Sequence, residues 1–241
     1  MPRRPPFWLT LLIILIGLPL CLPFLYVILR ATEVGLTRSV ELLFRPRIAE
    51  LLSNTMLLMV CVTIGAISLG TLCAFLLERC RFFGKTFFEV AMSLPLCIPA
   101  FVSCFTWISL TFRVEGFWGT IGIMTLSSFP LAYLPVSATL KRLDRSLEEV
   151  SLSLGKSSTY TFWHAIFPQL KPAIGSSILL IALHMLVEFG AVSILNYETF
   201  TTAIFQEYEM SFNNSSAALL SAVLMAICTI IAVSYKHLTL P

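Results

Sequence analysis

Two residues have the types and spacing that chemistry requires. His184 and Glu188 lie four positions apart in an apolar run, so on a helix they share a face, and Ser177 falls on the same stripe. An imidazole beside a carboxylate can relay a proton. A carboxylate at this depth in an apolar run must face protein or water, because lipid exposure is too costly. The residues alone leave several readings open: Glu188 lines a polar path, pairs at a subunit interface, or makes a structural hydrogen bond to His184 or a neighbouring helix. No covalent chemistry is spelled elsewhere. The other histidines, His164 and His237, are scattered, and the chain has no H-E-x-x-H and no Ser/His/Asp set. Gly155-Lys156-Ser157 matches the end of a phosphate-binding loop, but that motif needs a glycine where Val150 stands and a buried strand before it. ATP binding by this chain is therefore excluded. Of the seven cysteines, six lie in apolar runs and none forms a C-x-x-C pair, so they read as packing residues and not as metal ligands or disulfides. No metal site and no cofactor are expected.

The elements that must position His184 and Glu188 belong to a membrane protein. The 241 residues are 57% hydrophobic and only 12% charged, whereas a soluble domain carries about 25% charged residues. Apolar runs at 7–29, 51–77, 86–111, 117–140, 173–196 and 215–235 are each long enough to cross a bilayer. The expected fold is all-α, a polytopic bundle of six transmembrane helices. The first run is too long for a signal-peptide core and no A-x-A site follows it. The third run contains Pro95 and Pro99, each of which removes a backbone donor, so this span is expected to be kinked or broken and to line a pathway or bend a packing helix. Ala66, Gly70 and Ala74 repeat at four-residue spacing, which allows another helix to approach closely. Residues 30–50 read as an external loop or surface helix, 78–85 as a short turn and 197–214 as a polar external segment. Glu89, four residues past Lys85, is expected near the membrane interface.

The longest polar-containing stretch after residue 50 is the loop at 141–172, between the fourth and fifth spans. Leu147, Val150 and Leu154 mark one face of a short helix that Gly155 stops; Ser157, Ser158 and Thr159 offer caps for a second helix, which Pro168 is expected to end. Glu149, Val150 and Ser151, then Gly155 after three residues, then Ala165, Ile166, Phe167 and Pro168 after nine more, resemble the E-A-A, three residues, G, nine residues, I-x-L-P loop of binding-protein-dependent ABC importer permeases. Leu52-Ser53-Asn54-Thr55 is similar to the start of the permease domain in that family. The resemblance implies that Glu149, Val150, Ser151, Gly155, Ala165, Phe167 and Pro168 form a coupling helix and its flank, docking in a groove of an ATP-binding subunit. It divides the chain into 1–50 (tail, first span and external loop), 51–235 (the permease domain) and a remnant at 236–241. Glu188-Phe189-Gly190-Ala191-Val192, with Thr199-Phe200-Thr201-Thr202-Ala203-Ile204-Phe205 after it, resembles the ferric-iron branch.

The positive-inside rule orients the bundle. With the N-terminus inside, Arg3, Arg4, Arg79, Arg81, Lys85, Lys141, Arg142, Arg145, Lys156, Lys171 and Lys236 lie inside, against Arg30, Arg38, Arg45, Arg47 and Arg113 outside, which accounts for all 16. The loop and both termini are then cytoplasmic in a bacterial inner membrane. The resemblance implies a transport subunit and not an enzyme, with ATP-binding subunits, a periplasmic or extracellular substrate-binding protein, membrane lipid, and a second permease half or a homodimer partner around it, and no nucleic acid. Iron-type relatives carry two six-span halves in one chain, and this sequence resembles the first. It is expected to supply half of a pore, completed by a second half or, through Ala66, Gly70 and Ala74, by another copy. His184, Glu188, Pro95 and Pro99 are the candidates for the translocation path. Iron(III) is the expected cargo; thiamine, phosphonate, sulfate and polyamines are carried by close branches. An ion-coupled secondary transporter or a membrane-embedded enzyme using His184 and Glu188 are rivals of another class, and neither accounts for the loop.

Overall fold

A computed structural model describes residues 7–80, 83–211 and 213–239. The tail at 1–6, Arg81, the side chain of Lys236 and the last two residues, all placed above by charge or remnant, lie outside the described residues. Among those described, all regular structure is helical.

The first helix, α1 (Phe7–Thr32), is apolar on every side and its large side chains stay exposed, as expected of a helix bathed in lipid. A short amphipathic helix, α2 (Leu36–Leu43), joins it to α3 (Pro46–Arg79). At about 1.5 Å per residue α3 is roughly 50 Å long, well beyond the ~30 Å hydrocarbon core. Most of its buried residues, Leu51, Thr55, Leu58, Val62, Ala66, Gly70, Ala74 and Leu77, recur every three or four positions and form one stripe. Lipid tails are as apolar as leucine, so this stripe gains from close packing more than from leaving water.

The third span is broken. The chain runs through α4 (Lys85–Ala91) and a single 3-10 turn at Leu94–Cys97, then bends by 97° into α5 (Ala100–Leu110). Pro95 and Pro99 cause the break as expected: neither can donate to an α-helical ladder, and Ile98 before Pro99 is extended (φ −104°, ψ 117°). The fourth span is α6 (Phe117–Ser128) followed by α7 (Pro130–Arg142), with Pro130 at a first-turn position that needs no donor.

Helices α8 (Ser146–Ser153) and α9 (Ser158–Thr161) form the loop, and α10 (Phe167–Val187) continues from α9 through a π-turn at Phe162–Ile166. Pro168 therefore does not end the second loop helix. The π-turn already shifts the hydrogen bonding, with the Phe167 N–H donating to the Phe162 carbonyl, so the missing donor at Pro168 falls where the ladder is widened.

The fifth span ends earlier than expected. Glu188 leaves the helix with φ −70° and ψ 127°, and a short α11 (Gly190–Ile194) follows. The polar segment after it contains α12 (Phe200–Phe205), and the chain closes with α13 (Asn214–Thr239). Among the described residues five helical stretches are long and apolar enough to cross a membrane, or six where the bent pair α4–α5 counts as one span.

The core lies where α3, α6, α7 and α10 meet, around Leu58, Val62, Ala66, Met124, Tyr133, Val136, Leu170 and Ile181. Ala66, Gly70 and Ala74 do admit a neighbouring helix, but it is α7 of the same chain. A Cβ on Gly70 would sit 2.7 Å from the Phe129 carbonyl oxygen and 2.8 Å from the Tyr133 nitrogen. The stripe is buried inside the bundle and is not a surface for another copy.

Candidate functional site

The loop is built by local chemistry. Asp144 accepts from the Ser146 N–H at 2.9 Å and starts α8. Those bonds hold the Asp144 carboxyl below the usual carboxylate range. At the other end, the Gly155 N–H donates to the Leu152 carbonyl and the Lys156 N–H to the Ser151 carbonyl, at 2.9 and 3.2 Å. This paired closure requires a left-handed residue, and Gly155 has φ +76°. Ser157 then caps α9, accepting from the Tyr160 N–H at 3.2 Å. The Ser151 and Thr161 hydroxyls, 2.8 Å apart, tie the two short helices together.

The predicted coupling residues divide into two groups. Glu149 and Val150 are exposed on α8, as are Leu147, Leu152 and Leu154, and α8 has no buried residue. Ala165 lies instead in the π-turn, and Phe167 and Pro168 open α10. Phe167 packs on Trp163, with ring centroids 4.8 Å apart, and lines an apolar groove with Ile67, Phe75 and Ile174.

The path candidates converge. His184, Glu188, Pro95 and Pro99 line one cavity of about 310 Å³, together with Leu96, Ile98, Ala100, Phe101 and Ser127. The break at the prolines and the break at Glu188 thus face each other. Glu188 is mostly buried. One carboxylate oxygen accepts from the Ala191 N–H at 3.0 Å and the other lies 3.9 Å from His184 Nε2. The Glu188 carbonyl, freed by the end of α10, accepts from the Thr201 hydroxyl at 2.7 Å. Ser177 does not join them; it is buried and its hydroxyl donates to the Ala173 carbonyl. A carboxylate with an imidazole beside it, at a gap between broken helices, can attract and pass a cation or a proton. Among the described residues no three His, Cys, Asp or Glu side chains come together as a metal ligand set.

The sequence pattern of residues 66–239 matches the family model described as binding-protein-dependent transport system inner membrane component. The chain belongs to that family. It is 93% identical over 231 residues to the "Fe(3+)-transport system permease protein FbpB 2" of Haemophilus influenzae, a match covering 96% of this chain and 46% of that protein. This inner membrane component thus spans about half the length of that relative. It is 29% identical over 206 residues to the "Sulfate transport system permease protein CysT" of Escherichia coli, covering 78% of this chain and 74% of the other. Its fold is similar to a chain of a bacterial ABC transporter described as importing the acidic polysaccharide alginate, with a TM-score of 0.73 and 14% identity over 96% of this chain and 95% of that one. Both the loop and the cavity fall inside the residues that match the family.

A charged cluster went unread in the sequence. Glu78 and Arg79 were expected in a turn, yet they form the last residues of α3. Glu78 is buried, accepts from the Ser137 hydroxyl at 2.7 Å, and has Lys141 Nζ at 3.4 Å and Lys85 Nζ at 3.9 Å. Glu89 faces the same two lysines, each at 3.8 Å. Arg79 donates to the Leu140 carbonyl at 3.3 Å and pairs with Glu148 of α8, while Arg145 donates to the Glu78 carbonyl at 3.2 Å. The available signal was the absence of any glycine or proline between Gly70 and Gly84, which lets the helix run on past the apolar stripe.

Proposed function

We propose that the chain is a transmembrane permease bundle of an ATP-driven bacterial importer for iron(III). The observation that carries this reading is the 93% identity to an iron(III) permease over nearly the whole of this chain. The cavity chemistry supports it against the sulfate branch. A carboxylate facing a confined space repels a dianion and attracts a cation, and oxygen donors suit a hard metal ion.

In this reading the loop lies in the cytoplasm, where the exposed apolar residues of α8 seat in a groove on an ATP-binding subunit that hydrolyses the nucleotide. A substrate-binding protein delivers iron on the opposite side. Since this chain supplies one bundle, a second six-span bundle completes the path. His184, Glu188, Pro95 and Pro99 line that path, and Glu149, Val150, Ser151, Gly155, Ala165, Phe167 and Pro168 form the docking loop and its flank.

The test is reconstitution in vesicles of this chain with a second six-span half, the ATPase subunit and an iron-loaded binding protein. Radiolabelled iron is expected to accumulate only with ATP. Transport of sulfate but not iron by the corresponding assembly would overturn the cargo, and accumulation of iron without ATP would overturn the mechanism.

A further inference from the structure

The loop helix α8 presents a mechanical problem. None of its residues is fully buried, and Leu147, Val150, Leu152 and Leu154 all point outward. Apolar packing therefore does not fix it to the bundle. A helix of eight residues is also too short to hold itself. Its attachments are polar: Ser151 to Thr161 within the loop, Arg145 to the Glu78 carbonyl, and Glu148 to Arg79. Among the described residues the last is the ion pair that joins a side chain of α8 to the end of α3, and it is well shielded, with Arg79 10% and Glu148 18% exposed.

We propose that Arg79 is a positioning residue for coupling: its guanidinium, spanning Glu148 of α8 and the Leu140 carbonyl of α7, clamps the loop helix to the ends of α3 and α7 so that the three move as one body. Arginine suits this task because its broad guanidinium can donate to the Leu140 carbonyl from one nitrogen while another pairs with the Glu148 charge, whereas lysine is a point charge. Glu78 stiffens the anchorage. Its carboxylate holds Ser137 and Lys141 of α7 and Lys85 of α4, and its carbonyl receives Arg145 from just before α8. Glu148 adjoins Glu149, so the clamp acts on the residue next to the proposed docking surface. The role in coupling rests on the function proposed above; the clamp itself does not.

The experiment has two arms that separate the two claims. In the first, the full chain in detergent is compared with Arg79→Met, Glu148→Met and the double variant by amide hydrogen exchange. No cargo, nucleotide or ATPase is needed. Each single change is expected to speed exchange in α8 by about 10- to 100-fold, the effect of losing a shielded bond between charged groups, and to leave α6 unchanged. The double variant is expected to be no worse than the worse single, since both remove the same interaction. Arg79→Lys is expected to fall between Arg79→Met and the parent. Unchanged α8 exchange in both single variants, or multiplying effects in the double, overturns the clamp. In the second arm, ATP hydrolysed per iron taken up by the complete importer is expected to rise several-fold in Arg79→Met at equal membrane levels. An unchanged ratio, with α8 loosened, overturns the coupling role and leaves the clamp. If the unaltered importer moves no iron, the proposed function fails while the first arm still decides the clamp.

Discussion

Replacing Gly155 tests how the loop turn is made. The residue adopts φ +76°, and an added Cβ would meet nothing within 4 Å. The cost of a side chain here is therefore conformational, without a clash. A left-handed L-residue costs roughly 1–2 kcal/mol, so Gly155→Ala is expected to lower the population of the closed turn by a factor of about 5 to 30. Gly155→Val should cost more, since a β-branched residue resists positive φ. Gly155→Asn should cost least, since asparagine tolerates this region. The direct assay is hydrogen exchange at the amides of residues 155 and 156, which donate to Leu152 and Ser151. Exchange should quicken in the order Asn, Ala, Val, and iron uptake at equal membrane levels should fall in the same order. A Val variant indistinguishable from the parent in exchange and uptake, or an Asn variant as impaired as Val, would refute the reasoning.

Gly70→Ala places a methyl group 2.7–2.8 Å from the backbone of Phe129 and Tyr133, so α3 and α7 must part, at about 1–3 kcal/mol; thermal unfolding in detergent should show the loss, and Gly122→Ala, with open space around it, should not. Glu188→Cys in a cysteine-free chain should react with a water-soluble thiol reagent at a rate that changes with nucleotide state in the complete importer; no reaction in any state would refute a water-accessible path. The lowered Asp144 value carries a sign: the start of α8 is stabilised above the usual carboxylate value of 3.8 and loses that support as pH falls through the lower folded value. The Ser146 amide resonance should follow that titration and stay flat in Asp144→Asn.

The spans were legible because a bilayer imposes a length on every apolar run, and the break at Pro95 and Pro99 because proline acts on its own backbone. Gly155 was legible for the same reason: the turn it makes is local. What stayed hidden depends on distant partners. The helix through Glu78 and Arg79 holds buried and half-buried charge only because Ser137, Lys141 and Glu148 arrive from far along the chain. The break at Glu188 has no proline to announce it; Thr201 satisfies the freed carbonyl and Ala191 the carboxylate, and α5 lies against Gly190 with Phe101 Cβ 3.3 Å from where a side chain would begin. Pro168 misled for the opposite reason. The rule that proline stops a helix assumes an α-helical donor at that point, and the π-turn before it had already displaced the ladder.

One continuous helical stretch joins the two candidate sites. Ser158–Val187 runs for 30 residues, roughly 45 Å at about 1.5 Å per residue. Thr161 near its first end touches α8 through Ser151, and His184 near its last faces the cavity beside Glu188. A tilt of about 10° of the straight part from Ala173 to Val187, roughly 22 Å at about 1.5 Å per residue, would carry its far end by about 4 Å. That is most of one helical turn of about 5.4 Å, enough to remake contacts around a 310 Å³ cavity. The π-turn and the prolines at 168 and 172 concentrate bending near the loop, because each removes or displaces a hydrogen bond there and none falls between Ala173 and Val187. The upper half can then move as a rod, pivoting at the π-turn and the two prolines just beyond the loop.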